Sequence, residues 1–297
     1  MKRRIVAVAV FSVLIMLAAT FAAASGGKHG TEKEMKKGIL LVAFGTSVPE
    51  AQNAFSQIEK RAKEAFPDVD LRWAYTSKII RDKLRKKGTQ LDSPEVALAK
   101  MMEDGYTHVL VASFHTIPGE EFHYLHWNAH VFDTMKEGIR RIVISRPLLS
   151  SRDDYENVAK ALMNTVPKER KPEDAILFMG HGSEHHPADD AYAAMNYWFG
   201  KIDSNVYVGT VEGQPRLEEF LPELKKKGVK KVYLMPLLSV AGEHARKDMC
   251  GNEEDSWKSI LKKNGMEADC ILRGTAEIPE VLDVWIDHMK KAFSHFE

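Results

Sequence analysis

Only two cysteines, Cys250 and Cys270, occur in the 297 residues. Two thiols make no disulfide framework, and their spacing fits no cysteine zinc motif; whether they pair or stay separate is open in the sequence. Net charge is absent too, because 42 basic side chains balance 42 acidic ones. Bulk electrostatics therefore give no reason for a nucleic acid or an anionic membrane as partner, and any anionic ligand must be met by local groups. The chain also lacks a Walker-type glycine loop, a GxGxxG fingerprint, a HExxH pair and a GxSxG elbow. Their absence removes the common signatures of nucleotide use, zincin chemistry and serine hydrolysis. Phe44, Gly45, Thr46 and Ser47 could shape an anion nest at a helix start, but one glycine makes a weak signal.

One long apolar run is present, at the very start. Lys2, Arg3 and Arg4 precede a stretch from Ile5 to Phe21, followed by Ala22, Ala23 and Ala24. A charged start, an apolar middle and small residues at the exit read as a signal peptide over residues 1–24. Export to the periplasm follows, with no stable membrane association after cleavage. The alternative is an uncleaved anchor, since the run approaches the roughly 20 residues that span a bilayer. Residues 25–37, rich in Gly, Lys and Glu, read as a flexible leader.

From Gly38 onward, short apolar runs alternate with helical patterns, the signature of βαβ units and a mostly parallel sheet. Strands are predicted at 38–44, 69–74, 108–113 and 141–144, and helices at 48–65, 77–87, 93–103 and 119–136. The second half replays this order: AILFMGHGS at 175–183 echoes ILLVAFGTS at 39–47, and KVYLMPLLSVAGEH at 231–244 echoes HVLVASFHTIPGEE at 108–121. In that alignment Gly180 falls on Gly45, His181 on Thr46 and His244 on Glu121. The pattern predicts an α/β protein of two similar domains, residues 38–150 and 151–297. Each would be a small parallel sheet flanked by helices, with a cleft between them and a hinge near 149–155. The last helix, 279–296, is free to cross back onto the first half.

Two apolar runs of the second half each release a histidine beside a glycine. Ile176 to Met179 breaks at Gly180 and delivers His181, Gly182 and Ser183; Val232 to Leu238 leads through Gly242 and Glu243 to His244. Strand ends are where open α/β sheets keep their ligand sites, and a strand ending at glycine lets the chain turn sharply. For His181 alone, a helix-capping role is the bland alternative. Between these strands, NVYVGTVEG at 205–213 ends in Glu212, whose bland alternative is a carboxylate at a helix start. Two imidazoles and one carboxylate would suit Co²⁺, Fe²⁺, Ni²⁺ or Zn²⁺ with coordination positions left free. His185 and His186 are better placed to line a substrate than to bind metal. A further group, His123, His126 and His130, shares one helix face with Tyr124 and Trp127 nearby. It is either a solvated or subunit-facing side, consistent with a homo-oligomer, or a haem site with His123 or His126 as axial ligand.

These residues carry a resemblance. GILLVAFGTS, RPLLSSRDDY at 146–155, FMGHGSEHH at 178–186, VEG at 211–213, LMPLLSVAGEHARKDM at 234–249 and DSWK at 255–258 together resemble the class II tetrapyrrole chelatases. Within them, they are most similar to the anaerobic sirohydrochlorin cobaltochelatases of cobalamin biosynthesis. The resemblance implies two α/β domains with the tetrapyrrole between them, His181 and His244 as catalytic histidines, and Glu212 as their acidic partner in metal binding. It also implies ATP-independent insertion of Co²⁺, or of Fe²⁺, into sirohydrochlorin. Ser47, Ser183 and His185 are candidate substrate contacts, and Lys78, Arg81, Lys83, Arg85, Arg246 and Lys247 are candidate donors to its carboxylates, or else a solvated charged face. Export departs from the usual cytoplasmic setting of this family. It keeps a second class of function open: a periplasmic metal or tetrapyrrole carrier without turnover.

Overall fold

Burial alternates in kind along the first strand, β1 (Lys37–Ala43). Ile39, Leu41 and Ala43 enter one core, whereas Leu40 and Val42 enter another. The two-residue period of a strand requires this split, and cover on both faces is the condition for a buried parallel sheet. The computed structural model describes residues 34–184 and 186–297. The expected signal peptide, most of the expected leader and His185 lie outside the described residues. Lys36 already belongs to the fold, since its amide donates to Thr107 Oγ1 at 2.9 Å.

β1 is followed by α1 (Asn53–Ala65), β2 (Asp70–Tyr75), α2 (Lys78–Lys86), α3 (Pro94–Glu103), β3 (His108–Ser113), α4 (Glu120–Thr134) and β4 (Arg141–Ile144). After α5 (Arg152–Met163) come β5 (Ala175–Gly180), α6 (Asp190–Ile202), β6 (Val206–Thr210), α7 (Leu217–Lys226), β7 (Lys231–Pro236), α8 (Trp257–Lys263), β8 (Glu267–Cys270) and α9 (Pro279–Phe293). Several helix starts have local causes. Ser77, Ser93 and Ser151 each accept from the backbone amide three residues on, and Pro94 stands in the first turn of α3.

The strands form two four-stranded sheets of order β2-β1-β3-β4 and β6-β5-β7-β8, parallel throughout. The sequence echo thus falls on strands at matching places, β5 on β1 and β7 on β3. Each sheet turns one face to its own outer core. The other faces share a central core, in which Ile39 and Leu41 of β1, Ile176 and Phe178 of β5, and residues of α1, α5, α6 and α9 take part. Residues Met35–Glu297 accordingly form one compact unit.

Helix α9 packs on the first half. Phe293 meets Phe66 with ring centroids 5.0 Å apart, Trp285 meets Phe114 at 5.7 Å, and the Trp285 indole N–H donates to the His115 carbonyl at 3.3 Å. Beside it a polar knot ties α5 to α9: His288 Nε2 lies 3.0 Å from Asp154 Oδ1, while Ser150 Oγ donates to Asp154 Oδ2 at 3.1 Å. Burial alone would raise the Asp154 pKa, but the bonds from His288 and Ser151 and the nearby charges of His288 and Arg146 lower it to about 2. Cys250 and Cys270 are joined in a disulfide, which ties the chain just beyond His244 to β8.

Candidate metal centre

His181 is the first residue after β5, and its backbone is bonded to the loop that follows β6. A Cβ at Gly180 would stand 2.4 Å from the Tyr192 ring, so this glycine is there for close packing. The sharp turn belongs to Gly182, with φ +80°, rather than to Gly180 as the sequence pattern predicts; in the first half Gly45 itself turns, with φ +101°. The His181 carbonyl accepts from the amides of Val211 at 3.1 Å and Glu212 at 2.8 Å. A second clip is Asp189 Oδ2, which accepts from Ser183 N at 3.2 Å and Gln214 N at 2.9 Å. These backbone bonds fix the β5 loop against the β6 loop, and they set the Glu212 carboxylate 3.7 Å from His181 Nδ1.

His244 arrives from the other side. It leads into a five-residue π-helix, Ala245–Met249, a widened turn that recurs at functional sites. Its ring lies 4.7 Å from that of His181, edge to face at 88°. One ligand atom each from His181, Glu212 and His244 fall within 4.8 Å of one another. All three side chains are partly exposed, so an ion held there keeps an open side.

One nitrogen of each ring is engaged. His244 Nδ1 lies 2.6 Å from Asp248 Oδ2. An ionised carboxylate can only accept, so Nδ1 carries the hydrogen and Nε2 keeps a free lone pair. His181 Nδ1 lies 3.0 Å from the Gly182 carbonyl, with the same consequence for its Nε2. Asp248 was not among the residues singled out in the sequence, although its place four residues after His244 is the helical spacing that puts two side chains together.

The first half supplies a wall. Phe44 stands with its ring 6.4 Å from that of His181, and Thr46 Oγ1 would be 3.3 Å from a Cβ at Gly242. Ser47 is buried, its carbonyl 3.4 Å from Lys87 Nζ, while Ser183 is half-buried in the loop beside His181. His123 and His126 are on α4: His123 Nδ1 lies 3.0 Å from His186 Nε2, and the rings of His126 and His130 are 4.7 Å apart. Burial, then the charges of His130 and His123, lower the His126 pKa. Glu243, next to His244, accepts from Lys83 Nζ at 3.2 Å; that bond holds its carboxyl below the usual range although partial burial opposes it.

Two proteins of known activity are similar over nearly all of this structure. The sirohydrochlorin cobaltochelatase CbiKC of Nitratidesulfovibrio vulgaris is 42% identical over 259 residues, covering 87% of this chain and 91% of that protein. The sirohydrochlorin cobaltochelatase of Salmonella typhimurium is 35% identical over 262 residues, covering 88% and 97%. Among solved structures, SirB from Bacillus subtilis with Fe³⁺ superposes with a TM-score of 0.58 at 17% identity, covering 89% of this chain and 98% of that one. CbiX, described as the terminal enzyme for biosynthesis of sirohaem in denitrifying bacteria, superposes at 0.53 and 14%, covering 86% and 99%. At those identities the two structures speak for the fold alone. A family model described as cobalt chelatase (CbiK) matches residues 37–294, nearly the whole of the described chain, and this protein belongs to that family.

Proposed function

We propose that this protein inserts Co²⁺ into sirohydrochlorin without ATP, as a chelatase that turns over. The observation that carries the reading is the set His181, Glu212 and His244, whose ligand atoms gather within 4.8 Å at strand ends of a cobalt chelatase fold. Metal insertion needs the ring to lose two pyrrole protons and the ion to shed water. Driving force comes from the metal–nitrogen bonds formed, so the protein's task is placement.

The residues present suit that task. His181 and His244 offer Nε2 lone pairs and Glu212 a carboxylate, a set compatible with Co²⁺ and with Fe²⁺. As the ion passes to the ring nitrogens, each bond it leaves frees a lone pair on the protein. His181 Nε2 takes one pyrrole proton in this way, and Glu212 or His244 takes the other. Two protons leave the ring, two protein bases receive them, and charge balances. An imidazole is suited to the exchange because its pKa lies near working pH. Export to the periplasm belongs to the same proposal and rests on the basic and apolar pattern of residues 1–24.

The test is an insertion assay with metal-free sirohydrochlorin and Co²⁺, without nucleotide, followed by absorption. The expected result is conversion of many equivalents per chain. Conversion that stops at one equivalent identifies a carrier instead, and no conversion at all overturns the reading.

A further inference from the structure

Two ion pairs cross from the His244 segment to the first half of the molecule. Lys83 on α2 donates to Glu243 Oε2 at 3.2 Å, and Arg246 Nη2 lies 3.9 Å from Glu50 Oε2. Neither is placed to stabilise the fold much. The Lys83 and Glu243 side chains are 43% and 42% exposed and Glu50 is 69% exposed, and exposed pairs contribute little. At 3.9 Å the Arg246 contact is no hydrogen bond. Arg246 Nε is also buried without a hydrogen-bond partner, so this guanidinium has donors unspent beside the candidate metal centre.

Neighbouring cations differ. Arg81 donates to the carbonyls of Tyr75 and Thr76. Lys78 and Arg85 both pair with Asp82 on their own helix. Lys83 is the α2 cation that bonds the residue before His244, and Lys247 stands 3.8 Å from the same carboxylate. Glu243 immediately precedes His244 in the chain, where a ring seated over the histidines would bring carboxylates of its own rim.

We propose that Lys83 and Arg246 receive two peripheral carboxylates of the tetrapyrrole, and that Glu243 and Glu50 are stand-ins that occupy these cations in the free protein and yield to the substrate. The assignment rests on the tetrapyrrole reading above. It explains how a chain without net charge can take up a polyanion: each cation is held in place beforehand by a carboxylate of the protein, so binding exchanges one carboxylate for another and little ordering is needed. The stand-ins cost affinity, because they compete with the substrate.

That competition gives a test in which the two ends of one ion pair act with opposite sign. Binding of metal-free sirohydrochlorin is titrated by absorption, and KM for sirohydrochlorin and for Co²⁺ are measured separately. Lys83→Met is expected to weaken sirohydrochlorin binding roughly fivefold, the upper end for a pair of exposed charges, with the change falling on the KM of the tetrapyrrole. Glu243→Gln, which removes the competitor and keeps its shape, is expected to tighten binding, and Lys83→Arg to keep it near wild type. A bridge that only braces the fold would shift Lys83→Met and Glu243→Gln in the same direction. That result, or no change in either, overturns the assignment while wild-type turnover leaves the chelatase reading standing. Wild-type protein that does not bind sirohydrochlorin takes down both.

Discussion

The two halves share a sheet order and part company where the strands end. After β1 the chain places Thr46, and at the matching place after β5 it places His181. Thr46 is 2% exposed; its hydroxyl accepts from the Val48 amide at 3.2 Å, and its side chain lies against Gly242 of the other half. After β3 the chain passes Gly119 straight into α4, whereas after β7 it passes Gly242 and His244 into the π-helix. One half has thus made its strand end a wall, and the other presents titratable side chains against it. A repeated fold does not repeat its chemistry, because chemistry is set by loop residues that the sheet only positions.

The strongest way to break this contrast is to exchange the consequences of its two ends. His181→Ala is expected to lower the rate of cobalt insertion on the order of 10³-fold, in the range for loss of a positioned proton acceptor, with an unchanged thermal midpoint. Thr46→Ala is expected to lose the bond to the Val48 amide, about 1 kcal/mol, together with the packing of a buried methyl, and to keep the rate within a few fold. Equal loss of rate in both folded variants would mean that the halves contribute alike.

The second difference is covalent, since the disulfide Cys250–Cys270 lies wholly in the second half. It closes a loop with a sequence separation of 20, for which chain entropy gives about 3 kcal/mol. Urea unfolding with and without reductant, or of a Cys250→Ser, Cys270→Ser double variant, is expected to show that loss. Coincident curves would remove the disulfide from the list of what holds the His244 segment.

A polar knot also braces α9, the helix that packs on the first half, and acid should loosen it. The folded Asp154 pKa of about 2 lies below the roughly 3.9 of an unfolded aspartate. Its contribution is therefore fully present above pH 4 or so and is lost as pH falls toward 2, on the order of 2 kcal/mol for this buried group. Asp154→Asn is expected to flatten the acid limb of the stability profile over that window. A limb of unchanged slope would show that the knot with His288 does not hold Asp154 ionised in the folded protein.

Strand cores were the most legible part of this molecule. β1, β3, β5 and β7 are continuous apolar runs, and the burial of both sheet faces is what such runs mean. β8 was missed because Glu267 to Cys270 is short and polar and sits at a sheet edge. The first helix was drawn from Val48, but the chain makes a 3₁₀ turn at Pro49–Gln52 before α1 begins at Asn53. In the site, the positions of His181, Glu212 and His244 at run ends were legible, since each follows an apolar stretch. The clips that register them, from the His181 carbonyl to Glu212 N and from Asp189 to two loops, were not. Backbone hydrogen bonds between loops leave no period in the sequence. The central core shared by both halves was hidden for a related reason, because periodicity shows that a face is covered and not by what.

Asp248 offers the finest test of the difference between the halves, for the first half has no counterpart to the His244–Asp248 pair at the end of β3. In the proposed reaction its carboxylate would fix which nitrogen of His244 faces the ion and make that nitrogen a better donor. Asp248→Asn can still accept a hydrogen bond through its amide oxygen but loses the charge, and about a tenfold rise in the KM for Co²⁺ is expected, at the low end for such partners. kcat and the KM for sirohydrochlorin should change less, because the ring does not depend on that bond. A variant that lowers kcat while sparing the metal KM would assign Asp248 to proton movement. One that lowers thermal stability alone would make it a brace for the π-helix, and the two strand ends would then differ only in their histidine.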